Sequence, residues 1–114
     1  MEAIREFDKI TDADLTKWAQ TKGQLTEVTI PVDESEDAKF VLCKPTKDVM
    51  DAMESLIDSS GASKVNELLE KNCILGGDFK YIESGPFYEP SVYLTIIEQL
   101  GKYMRPKAAT SRKL

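Results

Sequence analysis

The chain reads as an α+β domain, and three observations carry that reading. Two stretches, LTEVTIPV and AKFVLCKP, alternate apolar and polar residues and are joined by the acidic run DESED, the pattern of an antiparallel β-hairpin. Later segments repeat apolar residues at helical spacing instead. The elements also come in blocks, helix, hairpin, then three helices, which is the order of a small antiparallel sheet with helices packed on one face.

Taken in order, Thr11 is a candidate N-cap, Asp12 and Asp14 suit the positive end of a helix dipole, and Gly23 is a stop. These predict a helix over about 12–21, with Leu15 and Trp18 on its apolar face. Val28, Ile30 and Val32 share one face of the first strand, and Pro31 marks that strand as an edge or as bulged. Ala38, Phe40 and Leu42 share a face of the second, and the hairpin covers about 25–44. Thr46 then caps a helix over about 47–58, in which Val49, Met50, Met53, Leu56 and Ile57 form a stripe. After the turn SSG, Ser63 caps a helix over about 63–74, which ends at Gly76 and Gly77. Phe79, Tyr81 and Ile82 suggest a short extended piece. The final helix, over about 91–104, carries Val92, Tyr93, Ile96, Ile97, Leu100, Tyr103 and Met104; Gly101 weakens it and Pro106 ends it.

At 114 residues, 41% hydrophobic and 31% charged, the chain fits one globular domain. It is long enough to bury roughly two-thirds of the surface its unfolded form exposes. The opening MEAIREFDKI mixes acids with bases where a secretory leader is basic and then apolar, and apolar runs are short throughout. A cytoplasmic location with no membrane contact is expected. The net charge of −5 is uneven: residues 105–114 hold four basic side chains and no acid, so residues 1–104 stand at −9. The expected organisation is an α+β body over 1–104 and a basic, flexible tail over 105–114. An acidic body repels nucleic acid, and four charges make a weak phosphate footprint.

There is no histidine, which removes the commonest general base and the commonest nitrogen ligand for metals. Cys43 and Cys73 are read as reduced, partly buried thiols, with pairing between them left open. Cys73 as a nucleophile is disfavoured by its place at a helix C-terminus, where the dipole opposes a thiolate. Gly76 and Gly77 follow a helix rather than lead into one, so they do not make a phosphate cradle. The acids at 33–37 lack EF-hand spacing and read as a solvated loop. No catalytic, cofactor-binding or metal-binding residue is therefore assigned. In GPFYEPSVY, the aromatics Phe87, Tyr88 and Tyr93 stand around two prolines, suited either to a contact surface or to pinning the loop on the core.

The run EVTIPVDESEDAKFVLCKPTKDVMDAM, followed by NELLEKNCILGGD and a closing helix, resembles the small tail assembly chaperones of long-tailed bacteriophages over about residues 25–104. The resemblance rests on element order and chain length rather than on a catalytic signature. It implies a non-enzymatic protein of the bacterial host cytoplasm that covers the tape measure protein and keeps it soluble, assists recruitment of tail tube subunits, and self-associates. Such proteins are often made in two lengths by frameshifting. On this reading Leu68, Leu69, Tyr93, Ile97 and Leu100 join Phe87 and Tyr88 as partner-binding candidates. Another small phage or mobile-element connector or regulatory protein is the alternative, and a carboxylate enzyme a third.

Overall fold

In the computed structural model, residues 3–57 and 61–114 are described. Among them are four α-helices and a three-stranded antiparallel sheet, an α+β fold. After a 3-10 turn at Phe7–Lys9, helix α1 spans Asp12–Lys22. It starts on a capping box: the Thr11 hydroxyl accepts from the Asp14 N–H at 3.2 Å, and the Asp14 carboxylate accepts from the Thr11 N–H at 2.9 Å. Gly23, at φ 81°, closes it.

Strands β1 (Leu25–Pro31) and β2 (Asp37–Cys43) form the expected hairpin, in register from Leu25 opposite Cys43 to Pro31 opposite Asp37. Pro31 ends β1, which is an edge strand, so its missing N–H costs no ladder bond in the centre of the sheet. The acidic turn is built by Asp33, whose carboxylate accepts from Ser35 N–H at 2.8 Å, Ser35 Oγ at 3.0 Å and Glu36 N–H at 2.9 Å.

Helix α2 spans Lys47–Ile57, with Thr46 Oγ1 accepting from Val49 N–H. The stripe of five narrows here. Val49 and Met53 are buried and Leu56 half-buried, whereas Met50 and Ile57 are exposed, because α2 packs chiefly on α3 and one neighbouring helix covers only a narrow face. The expected helix end at 58 and the first residues of the SSG turn lie outside the described residues. Helix α3 spans Ala62–Cys73 and is capped by Gly61 at φ 78°; Ser63, the expected cap, lies inside its first turn.

The glycine pair is not punctuation. Ile74–Gly77 is a third strand, β3, antiparallel to β2 with Phe40 opposite Gly77, Val41 opposite Gly76 and Leu42 opposite Ile74. Leu75 is the extra residue of a bulge. The order β1-β2-β3 makes β2 central. The outer edge of β3 is covered by the chain's beginning: Ile4 N–H donates to Leu75 O at 3.2 Å, and Gly77 N–H donates to Ile4 O at 3.0 Å. Asp78 locks this junction, its carboxylate accepting from Phe7 N–H at 3.2 Å and Lys39 N–H at 3.0 Å. The chain then makes a 3-10 turn at Phe79–Tyr81, not the extended piece expected.

Helix α4 spans Pro90–Lys102, with proline in its first turn where no N–H is needed. Val92, Ile96 and Leu100, one turn apart, are fully buried. Residues 103 and 104 continue as a tighter turn bonded to Leu100 and Gly101. Residues 106–114 hold no regular element and are exposed.

The central strand is covered on both faces, not one. Phe40 meets the edge of the Phe79 ring at 6.4 Å, and α4 packs against β1 and the 79–81 turn. On the other side Val41 lines an apolar recess with Phe7, Ile10, Leu15 and Leu25. Val41 and Cys43 are consequently as buried as Phe40 and Leu42, which is why β2 lacks a polar face.

Candidate interaction surface

Exposed apolar side chains gather around the first turns of α4. The loop leading into it is held by Tyr88 N–H donating to Gly85 O at 3.3 Å and Glu89 N–H donating to Tyr81 O at 2.8 Å. Within it Phe87 is 57% and Tyr88 40% exposed, and Leu94 on α4 is 65% exposed. The Lys80 ammonium lies 5.0 Å from the rings of both Tyr81 and Phe87, which fixes the direction of Phe87 by cation–π attraction. Tyr88 and Tyr93 are neighbours, with ring centroids 6.4 Å apart and planes at 49°.

Tyr93 ties α4 to α3. The Glu70 carboxylate beside its hydroxyl, with burial behind it, pushes the phenol up to about 12. The Glu70 Oε1 atom is buried and has no hydrogen-bond partner. A turn beyond Tyr93, Ile97 is half-buried. Leu68, also half-buried, lines a shallow groove of about 230 Å³ between α2 and α3 with Leu56, Lys64, Glu67 and Lys71.

The seven sequence candidates therefore divide. Phe87, Tyr88, Tyr93 and Ile97 lie outside the core on α4 and the loop before it, where Tyr88 and Tyr93 meet, and Leu68 stands half-buried on α3. Leu69 and Leu100 are 3% and 0% exposed and belong to the core, so neither side chain is open to a partner in this fold. Leu94 was not anticipated. Its signal was present: it is a large apolar residue off the Val92, Ile96, Leu100 stripe, where packing does not account for it.

No protein-family model, curated protein or solved structure matches the chain. Among the described residues, no group of three or more His, Cys, Asp or Glu side chains is placed to hold a metal ion. No helix among them is long and apolar enough to cross a membrane. Two of the hairpin acids already have internal partners: Asp33 holds the turn, and Glu36 Oε2 accepts from the Tyr81 hydroxyl at 3.0 Å. That bond spans the hairpin tip and the 79–81 turn. Tyr81 is consequently pushed up to about 12, by burial first and by Glu36 second.

Proposed function

We propose that the chain is a non-enzymatic assembly chaperone of the phage tail kind, binding an apolar, helical segment of a tape measure protein and keeping it soluble. The observation that carries this reading is the exposure of Phe87, Tyr88 and Leu94, three large apolar side chains left 40–65% open on α4 and the loop before it. Side chains of this kind cost solubility when left in water and gain when covered, at about 25 cal/mol per Å² of apolar surface removed. An amphipathic helix laid along the Tyr93 and Ile97 side of α4 would cover them, with the net −9 of residues 1–104 keeping the loaded complex dispersed. The same surface, if shared between copies, supports the self-association that the reading implies.

The test is co-expression with the tape measure protein encoded beside this chain. The expected result is a soluble complex that co-purifies. Phe87→Ala with Leu94→Ser should lower its yield at least tenfold while leaving the thermal midpoint of the free chain within a few degrees, since neither residue is in the core. A tape measure protein that stays insoluble, or a double variant that binds as well as the parent, would sink the proposal. A ring of fixed stoichiometry with no affinity for that partner would favour a connector subunit.

A further inference from the structure

Cys43 ends β2 and Cys73 ends α3. Leu42 stands opposite Ile74 in the antiparallel register, and Cys43 and Cys73, the last residue of α3, flank that pair on the same side. Both thiols are free, and both residues are 1% exposed. The Cys43 thiol donates at 3.6 Å to the carbonyl of Asn72, the residue bonded to Cys73, which sets its sulfur beside the end of α3. A buried cysteine alone is a small hydrophobe. Here a second sulfur occupies the position from which it can react.

We propose that Cys43 and Cys73 form an oxidation site, a buried dithiol that a small disulfide such as oxidised glutathione closes into an intramolecular bond tying the end of α3 to β2. The neighbouring Cys73 thiol favours ionisation of Cys43, and the Lys22 ammonium assists to a lesser degree. Cys73 is correspondingly raised. Cys73 ends α3, where the helix dipole opposes a thiolate, so Cys43 is the attacking group. Its thiolate, the proton having gone to solvent, attacks one glutathione sulfur; the S–S bond breaks, a glutathione thiolate leaves, and a mixed disulfide remains. Cys73 gives its proton to that thiolate and attacks Cys43 Sγ, expelling the second glutathione thiolate, which takes up a proton. Two protein thiols are oxidised by two electrons, and one small disulfide is reduced to two thiols.

In a reducing compartment the pair stays open, and an oxidising poise closes it. Because the thiols are buried, reaction requires the end of α3 to part transiently from β2, so closure is slow. Both α2 and α3 lie between the two cysteines, and the bond makes that helical pair a covalent loop, which constrains the unfolded chain.

The test uses the full chain incubated with oxidised glutathione, quenched with acid, denatured, alkylated and mapped by mass spectrometry. The expected product has lost two hydrogens and both alkylatable thiols, and contains a peptide joining Cys43 to Cys73. Its thermal midpoint is higher by roughly 10 °C and returns to the starting value with dithiothreitol. The variant Cys73→Ala should stop at one glutathione on Cys43. Should that variant fail to fold, the parent chain's peptide map and its reversal decide alone. Thiols that remain free in denaturant too dilute to unfold the chain, or end products that are only glutathione adducts or linked dimers, overturn the assignment.

Discussion

Gly76 and Gly77 are adjacent in β3 but crowded by different neighbours. A Cβ on Gly77 would lie 2.6 Å from Lys39 O and 2.8 Å from Phe40 Cα, backbone that the β2 ladder holds in place, and Gly77 is at φ 150°. A Cβ on Gly76 would lie 2.8 Å from the tip of Ile10, 3.1 Å from Trp18 Cη2 and 3.2 Å from Ile4 O; the nearest of these is a side-chain tip that can give way, and the backbone oxygen is farther off than those at Gly77. Gly77→Ala is expected to cost about 3 kcal/mol or more, and Gly76→Ala about 1–2 kcal/mol, in denaturant unfolding. Equal losses would show that the two contacts are not what distinguishes them. From NCILGGD the sequence reading expected the end of a helix at the two glycines. Gly77 does take a positive φ, and the fold adds close approach of neighbouring chain, which depends on residues 4, 10, 18, 39 and 40 and leaves no mark in the seven-residue stretch. Asp78 is similar: its carboxylate serves donors from Phe7 and Lys39, far away in sequence.

Among the elements, α1 shows a local signal read correctly. Only Trp18 of this helix is buried, so its cap matters more than it would in a helix buried along a whole face. Thr11→Ala should cost about 1 kcal/mol near neutral pH, measured by denaturant unfolding. The Thr11 N–H, and then its hydroxyl, hold the Asp14 carboxyl below its ordinary value of 3.8. A depressed acid contributes stability above the ordinary value and loses it as pH falls. The gap between parent and Thr11→Ala should therefore narrow in acid below about pH 4; a constant gap would contradict the capping-box account. Strand β3 shows the opposite case. Ile-Leu-Gly-Gly has no alternation because both its faces are covered, and it follows α3 without a loop, so the helical period ran on into it.

At the scale of the molecule, two tyrosines bind separate parts of the fold through neutral phenols. Tyr81 joins the 79–81 turn to Glu36 of the hairpin, and the Tyr93 phenol of α4 faces the Glu70 carboxylate of α3. Both are raised from an ordinary value of 10 to about 12. A raised acid of this kind contributes stability that is fully present below pH 10 and is lost as pH climbs towards 12. The thermal midpoint should fall steeply across that window, and Tyr81→Phe, which cannot ionise, should flatten the fall while lowering the midpoint at neutral pH. An alkaline profile unchanged by the substitution would assign the loss elsewhere. The exposed apolar surface at α4 belongs to this scale too, since only the packed molecule distinguishes Leu94 from Leu100.

Local order was legible in the residues alone. The capping of α1, the alternation of β1 and β2, the apolar repeats of α2 and α4 and the α+β class all follow from spacing within a few residues, because helix and hairpin bonds close over short stretches of chain. Packing set the rest: a third strand paired more than thirty residues from its partner, a central strand buried on both faces, two cysteines brought to one junction of strand and helix, and the division of the apolar residues between core and surface. Those outcomes depend on which distant backbones meet, and the energy of such meetings comes from area removed from water and hydrogen bonds closed across the fold, quantities to which sequence periodicity is blind.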